Sequence, residues 1–199
     1  MDRPAVVILA AGKGTRMRSR LVKVLHPVCG EPMLAPVLRL AQEIEPFRTV
    51  VVIGHQAEKV KQAFSGYEDV HFVIQEPQNG TGHAVFCALG LLEDFNGEVL
   101  VLSGDIPLLT KQTVLSLLHA HRTSRAKMTV LTAIASNPEF YGRVLRDSSG
   151  KAVRIVEHKD AAPSERAIRE VNTGIYVFAV SFLRQFLPKL SRDNAQGVY

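Results

Sequence analysis

At 199 residues the chain fits one domain and can bury a sizeable core. Its 46% hydrophobic and 22% charged content exclude a disordered chain, and no apolar run approaches the roughly 20 residues that span a bilayer. The net charge of +5 suits an anionic ligand, but it is too small and too scattered for a nucleic-acid surface, and tryptophan and aromatic-interleaved basic stripes are absent. In chain order the sequence predicts a strand over 5–9, a glycine-rich turn, a helix over 33–45, a strand over 49–53, a helix over 57–64 and a strand over 70–74. A helix over 82–93, a strand over 99–102 and a helix over 111–123 follow. Strands over 128–133, 153–157 and 174–179 and a helix over 181–190 complete the pattern.

The helix over 33–45 carries Leu34, Val37, Leu38, Ala41 and Ile44 at helical period. The helix over 111–123 repeats that period with Val114, Leu115, Leu117 and Leu118, behind Thr110 as N-cap. The strands are apolar on both faces, as in a mostly parallel sheet covered by helices. The charged, alanine-rich segment 159–169 reads as a solvated loop or short helix. No repeat or low-complexity linker divides the chain. Alternating strands and helices give an α/β, doubly wound fold, in which ligands gather at the carboxyl ends of the strands. Met1-Asp2-Arg3-Pro4 enters a strand directly, without a signal-peptide cleavage pattern. Cys29 and Cys87 make no metal or redox spacing and read as reduced, small apolar residues of a cytoplasmic protein.

The strongest local signal is Leu9-Ala10-Ala11-Gly12-Lys13-Gly14-Thr15-Arg16-Met17, with Lys23 downstream. A glycine turn after a buried strand can bring backbone N–H groups against a phosphate. From Ala11 to Gly30 the chain has Lys13, Arg16, Arg18, Arg20 and Lys23 and no Asp or Glu, a segment suited to a polyanion. It is neither a Walker loop nor the Gly-x-Gly-x-x-Gly dinucleotide fingerprint, since position 17 is Met. Other polar groups stand at predicted strand ends. Asp105, in Gly104-Asp105-Ile106-Pro107, is either a Mg²⁺ ligand or an Asx-turn residue. Gln75 is either a reader of a pyrimidine edge or a strand-end cap. Thr81 fits an N-cap before Gly82, and His83 reads as a packed or solvated helix residue. Glu157 and Asn172 could be a salt-bridge partner and a turn residue, with Asn172-Thr173-Gly174 opening the strand that follows.

Leu-Ala-Ala-Gly-x-Gly-Thr-Arg-Met with Lys23-Val24-Leu25 resembles the signature of sugar-phosphate nucleotidyltransferases. Gln75, Gly80-Thr81-Gly82-His83-Ala84, Gly104-Asp105-Ile106-Pro107-Leu108, Tyr141-Gly142-Arg143, Glu157, Asn172-Thr173-Gly174 and Asn194-Ala195-Gln196-Gly197 occur in the order of one subfamily. That subfamily is the N-terminal uridyltransferase half of the bifunctional bacterial enzyme that makes UDP-N-acetylglucosamine. The resemblance covers essentially the whole chain. It implies a Rossmann-like mixed sheet of the nucleotide-diphospho-sugar transferase type, and transfer of UMP from UTP to N-acetylglucosamine-1-phosphate with pyrophosphate released. It also implies Mg²⁺ as cofactor and a place in peptidoglycan and lipopolysaccharide precursor synthesis, without nucleic-acid or membrane partners.

By the same resemblance Arg16 and Lys23 are catalytic and Asp105 holds the metal. Leu9, Ala10, Ala11, Gly12, Lys13, Gly14, Gln75, Gly80 and Thr81 bind the nucleotide. Ser103, Gly104, Gly142, Glu157 and Asn172 bind the sugar. Two departures stand out. The family usually has proline where this chain has Val22, so the loop carrying Lys23 is expected to be less pre-ordered. The family also continues past Asn-Ala-Gln-Gly. Residues 1–199 are therefore expected to form a C-terminally incomplete uridyltransferase domain, without the second metal ligand or the β-helix acetyltransferase domain. Two other functions stay open: transfer to another sugar phosphate, and a catalytically weak nucleotide-sugar binding module.

Overall fold

Short runs of β-branched residues, closed by glycine or polar turns, build the centre of the molecule. The computed structural model describes residues 3–190, the Arg16 side chain excepted; the 194–197 motif lies outside them. The chain runs through β1 (Ala5–Leu9), β2 (Pro27–Val28), β3 (Glu31–Pro32), α1 (Leu34–Glu43), β4 (Arg48–Ile53), α2 (Ala57–Ala63) and β5 (Val70–Ile74). It continues through α3 (Thr81–Leu89), β6 (Glu98–Ser103), α4 (Lys111–Ser124), β7 (Met128–Ile134), β8 (Arg143–Arg146) and β9 (Ala152–Val156). The last elements are α5 (Pro163–Arg166), β10 (Glu170–Ala179) and α6 (Val180–Phe186).

The main sheet has the order β5-β4-β1-β6-β10-β8-β9, with β7 also on β10. Strands β5, β4, β1 and β6 are parallel, and every further pairing is antiparallel. The chain leaves β1 towards β4 and β5, then returns to place β6 on the other side of β1. The strand order therefore reverses at β1, and a doubly wound sheet opens its ligand crevice at such a point. β10 is shared: its end half (Tyr176–Ala179) pairs with β6, while Val171 pairs with Arg143 of β8. Between these stretches its register with β7 shifts at Asn172/Tyr176.

Alternation along each strand divides the core in two. Val6 and Ile8, Val51 and Ile53, and Leu100 and Leu102 pack with α1, α2 and α4. Ala5 and Val7, Val50 and Val52, and Val99 and Val101 pack with α3 and α6. Helices thus cover both faces, and each buried Val, Ile or Leu contributes about 1.5–3 kcal/mol before chain entropy is counted.

Several expectations change in detail. α1 stops before Ile44; Glu45 takes φ 50°, and a residue preceding a proline is disfavoured in helical conformation. α3 begins at Thr81, with Gly80 rather than Thr81 at the cap, and passes into a 3₁₀ turn over Gly90–Leu92. The final helix ends at Phe186, and the 3₁₀ turn Leu187–Lys189 contains Pro188. Thr110 does cap α4, accepting from the Thr113 N–H at 3.3 Å. β10 starts at Glu170, so Asn172 lies within a strand rather than opening one. Cys29 is no apolar packing residue: it is exposed at φ 53° in the β2–β3 hairpin turn, beside Gly30 at φ 87°. Both cysteines are free.

Candidate active site

A cleft of about 530 Å³ lies at the carboxyl ends of β1, β5 and β6, where the strand order reverses. The strand ends are tied to one another by backbone bonds that extend the ladder: Ala10 N–H to Val52 at 2.8 Å, Gln75 N–H to Ile53 at 2.8 Å and Gly104 N–H to Leu9 at 2.9 Å. The loops that follow them consequently start from fixed positions.

The first loop supplies Leu9, Ala10, Ala11, Gly12 and Gly14 to the cleft. Lys13, on the exposed side of the turn, is not part of its wall. Gly14 has φ 63°, and a Cβ built on it would stand 2.7 Å from Lys23 Cβ. The residue must be glycine both for its backbone and for the closeness of Lys23. Gly12 has open space where its Cβ would be. The 3₁₀ turn Thr15–Met17 follows, with Arg16 as its middle residue.

Lys23 opens a second 3₁₀ turn, Lys23–Leu25. Val22, directly before it, takes φ −60° and is 1% exposed within the core. In the folded chain Val22 thus already holds the φ that a proline ring would impose and anchors the loop by its burial. Lys23 Nζ donates to Asp105 Oδ2, across 82 residues of sequence, and both side chains remain about one-third exposed. Ser103 lies beside them in the cleft. Gly104 has a packing reason instead: its Cβ would meet Leu34 Cδ1 and the Leu9 carbonyl, each at 3.2 Å.

The third contribution comes from the chain between β5 and α3. Gln75 is buried, and its Nε2 donates to the Gly80 carbonyl at 2.7 Å. Gly80 has φ 96° and ψ 179°, a conformation open to glycine. Gly80 and Thr81 line the cleft with Gln75. Sequence reasoning missed two groups here. Gln78 lines the cleft and donates from Nε2 to the Ala11 carbonyl at 2.8 Å, bracing the glycine turn. Gly54 lets it pass, since a Cβ there would meet Gln78 Nε2 and Ala11. Gln78 could have been found as a second amide three residues after Gln75, and Gly54 as a glycine that closes a strand as Gly104 does.

Gly142, Glu157 and Asn172 form a second group, outside that wall. The Asn172 N–H donates to the Gly142 carbonyl at 2.8 Å. A Cβ on Gly142 would stand 3.1 Å from Glu157 Oε1. Asn172 Nδ2 donates to the Tyr176 hydroxyl at 2.6 Å, and its Oδ1 accepts from the Gly174 N–H at 3.0 Å. Burial raises the Tyr176 phenol above its ordinary range; the Asn172 contact opposes that and the Glu157 charge adds to it. Tyr176 was not foreseen. The two groups adjoin at Ser103, whose Oγ would lie 3.5 Å from a Cβ on Gly174.

The donor set at Asp105 is a single carboxylate, and among the described residues no three His, Cys, Asp or Glu side chains gather as a metal cluster. The carboxylate does accept a cation, since the Lys23 ammonium rests on it. A lone carboxylate suits Mg²⁺, which keeps waters and is completed by substrate phosphates. Among the described residues no helix is long and apolar enough to cross a membrane.

Comparison with known proteins adds to this geometry. A family profile, the MobA-like NTP transferase domain, matches residues 6–172. The bifunctional protein GlmU of Geobacter sulfurreducens is 49% identical over 199 residues, all of this chain and 42% of the relative. GlmU of Pelobacter propionicus is 50% identical over 199 residues, covering 43% of its length. GlmU of Shouchella clausii is 50% identical over 193 residues, 97% of this chain and 42% of the relative. The chain thus spans less than half the length of these curated relatives. A crystal structure of UDP-glucose pyrophosphorylase complexed with UDP-glucose superposes with a TM-score of 0.74 at 16% identity, over 96% of this chain and 81% of that one. This likeness is one of fold.

Proposed function

The chain belongs to the MobA-like NTP transferase domain family, and on that premise we propose that it transfers UMP from UTP to N-acetylglucosamine-1-phosphate. The observation that carries the reading is the joining of three loops at one cleft: the glycine turn, the Lys23–Asp105 pair and the Gln75–Gly80 pair. Polyanion, cation and base edge each find a suitable group there. The similarity to GlmU over the whole chain supports the choice of sugar and base.

In this reading a phosphate oxygen of the sugar phosphate forms a bond to the α-phosphorus of UTP. The bond from that phosphorus to the bridging oxygen breaks, and pyrophosphate leaves with the electron pair. The acceptor is already ionised, so no general base and no covalent enzyme intermediate are required, and the protein's task is positioning and charge stabilisation. The backbone of Ala11 to Gly14 cradles the phosphates. Lys23 leaves Asp105 to meet the attacking phosphate, and Arg16 meets the α- and leaving phosphates. Gln75 and Gly80 take the uracil. Gly142, Glu157 and Asn172 hold the sugar, with Tyr176 fixing the Asn172 amide. Asp105 would hold Mg²⁺, which when bound offsets phosphate charge and aligns the two reactants. The activity belongs in the cytoplasm, in supply of an activated amino sugar for cell-wall precursors.

Product analysis tests this, with UTP or dTTP paired with glucose-1-phosphate or N-acetylglucosamine-1-phosphate. UDP-N-acetylglucosamine should be the main product with Mg²⁺ present. Arg16→Ala should lower turnover far more than it raises the KM for UTP. Binding of UTP without pyrophosphate release from any pair would refute the transfer reading, and preferential use of glucose-1-phosphate would refute the acceptor.

A further inference from the structure

The side-chain amide of Gln75 has two N–H donors and one acceptor oxygen, and two of its neighbours determine which faces the cleft. The Gly80 carbonyl, 2.7 Å from Nε2, can only accept, so the amide nitrogen must face it. The reversed amide would set two acceptors against each other. His83 Nδ1 stands 3.4 Å from the same nitrogen, placed to accept the second N–H. That role requires the imidazole proton on Nε2, and Nε2 faces Cys87 Sγ, a weak acceptor, at 3.7 Å. Burial raises the Cys87 pKa, keeping the thiol neutral beside that proton. Gly80 is fixed in its conformation by φ 96°, and His83 by the first turn of α3.

With both N–H groups engaged, Oε1 is what the amide offers to the cleft that Gln75 lines. We propose that His83 is a positioning residue which, with the Gly80 carbonyl, commits Gln75 to pyrimidines bearing an imide N–H and so sets uracil against cytosine. An acceptor at this point matches the N3–H of uracil or thymine. Cytosine presents an unprotonated N3, and two lone pairs would meet. His83 is thereby moved from the packed or solvated residue suggested by its sequence to a determinant of base choice. The inference rests on the nucleotidyl-transfer reading for the identity of the ligand.

The test compares UTP and CTP binding by calorimetry with Mg²⁺, alongside pyrophosphate release, for the wild type, His83→Leu and His83→Asn. Leucine keeps bulk but has no acceptor; the asparagine Oδ1 stands where Nδ1 stands. His83→Leu should reduce the UTP-over-CTP binding ratio about three- to tenfold, as loss of one hydrogen bond does. His83→Asn should keep the ratio within about twofold of wild type. His83→Ala serves as a second acceptor-free variant if the leucine variant fails to fold. A ratio in the acceptor-free variants equal to that of the wild type overturns the assignment and leaves His83 a packing residue. A wild type that does not distinguish UTP from CTP overturns the base reading and this inference with it. A wild type that distinguishes them without releasing pyrophosphate overturns the transfer reading alone, because the binding ratio still decides the role of His83.

Discussion

Replacing Gly14 and Gly12 in turn by alanine separates what the glycine turn does for the fold from what it does for a ligand. At Gly14, alanine must adopt φ 63° and ψ 36°, a left-handed conformation costing about 1–2 kcal/mol. Its methyl carbon would stand 2.7 Å from Lys23 Cβ and 3.5 Å from Lys23 Cα. Carbon atoms settle at about 3.5–4.0 Å, so Lys23 must retreat by roughly 1 Å. The obstructing atoms belong to the root of the side chain, and Val22 and Val24 on either side are buried, so the whole turn has to shift. Overpacking of that kind costs about 1–3 kcal/mol more. A total of roughly 2–5 kcal/mol lowers Tm by about 4–20 °C in a chain of this size. Displacing Lys23 by about 1 Å should lower kcat on the order of a hundredfold. At Gly12 nothing lies within 4 Å of a new Cβ and no left-handed φ is required. Gly12→Ala should leave Tm within about 2 °C, yet weaken UTP binding roughly tenfold or more by placing a methyl on the cradle. Thermal melts, UTP calorimetry and pyrophosphate release measure all three quantities. A Gly14→Ala protein as stable and as active as wild type, or a Gly12→Ala protein destabilised to the same degree, would refute the reasoning.

Lys23→Ala should raise the affinity of the nucleotide-free protein for Mn²⁺, read by paramagnetic resonance, because the Asp105 carboxylate loses its ammonium partner. The same variant should lower turnover about 10²–10³-fold; unchanged metal affinity would show that the ion pair does not compete. Burial holds the His121 imidazole below its ordinary 6.5, Arg122 adding to this and Glu98 opposing it. The unfolded chain then binds more protons, so this contribution is complete above about pH 6.5 and is lost as pH falls through the lower folded value. Melts from pH 7.5 to 5 should show a declining Tm, and His121→Asn, whose Oδ1 can accept from Thr129, should flatten that decline; parallel curves would remove His121 as the cause. Val22→Pro should raise Tm by about 1–4 °C, since φ is already −60° and the unfolded chain loses freedom. A lower Tm would show that the buried valine methyls outweigh that entropy.

The parallel half of the sheet was legible because its strands are dominated by apolar residues: β1 is wholly apolar, β5 is interrupted only by His71, and both begin and end where their residues predict. The antiparallel half was less so. β8, Arg-Val-Leu-Arg, carries a charge where a strand needs an inward residue. Arg143 is nonetheless buried, its guanidinium donating to the Tyr141 carbonyl and, at 3.4 Å, to the Arg166 carbonyl. Glu170 and the Asn-Thr-Gly run disguised the start of β10, since turn-forming residues occupy a strand where its register shifts. Single residues of the site were legible as types at strand ends, but their pairings were not. Lys23 with Asp105, Gln78 with Ala11 and Asn172 with Tyr176 depend on loop paths that hydrophobic period does not encode.

The shared strand β10 has a further consequence. The β8–β9 hairpin joins the sheet through the pairing of Val171 with Arg143 and the bond from Asn172 to Gly142, reinforced by the Arg146–Glu170 ion pair. The nucleotide cradle rests on four fully laddered parallel strands. Opening of the hairpin would expose Arg143, Val144 and Val156 but would leave the ladder of the four parallel strands intact, as expected of a unit that unfolds separately. Under the proposed function, a sugar nucleotide would then be released at its sugar end first, with its phosphates still held. For the same reason, a lineage could exchange one acceptor for another by rewriting a hairpin, without rebuilding the machinery that handles the triphosphate.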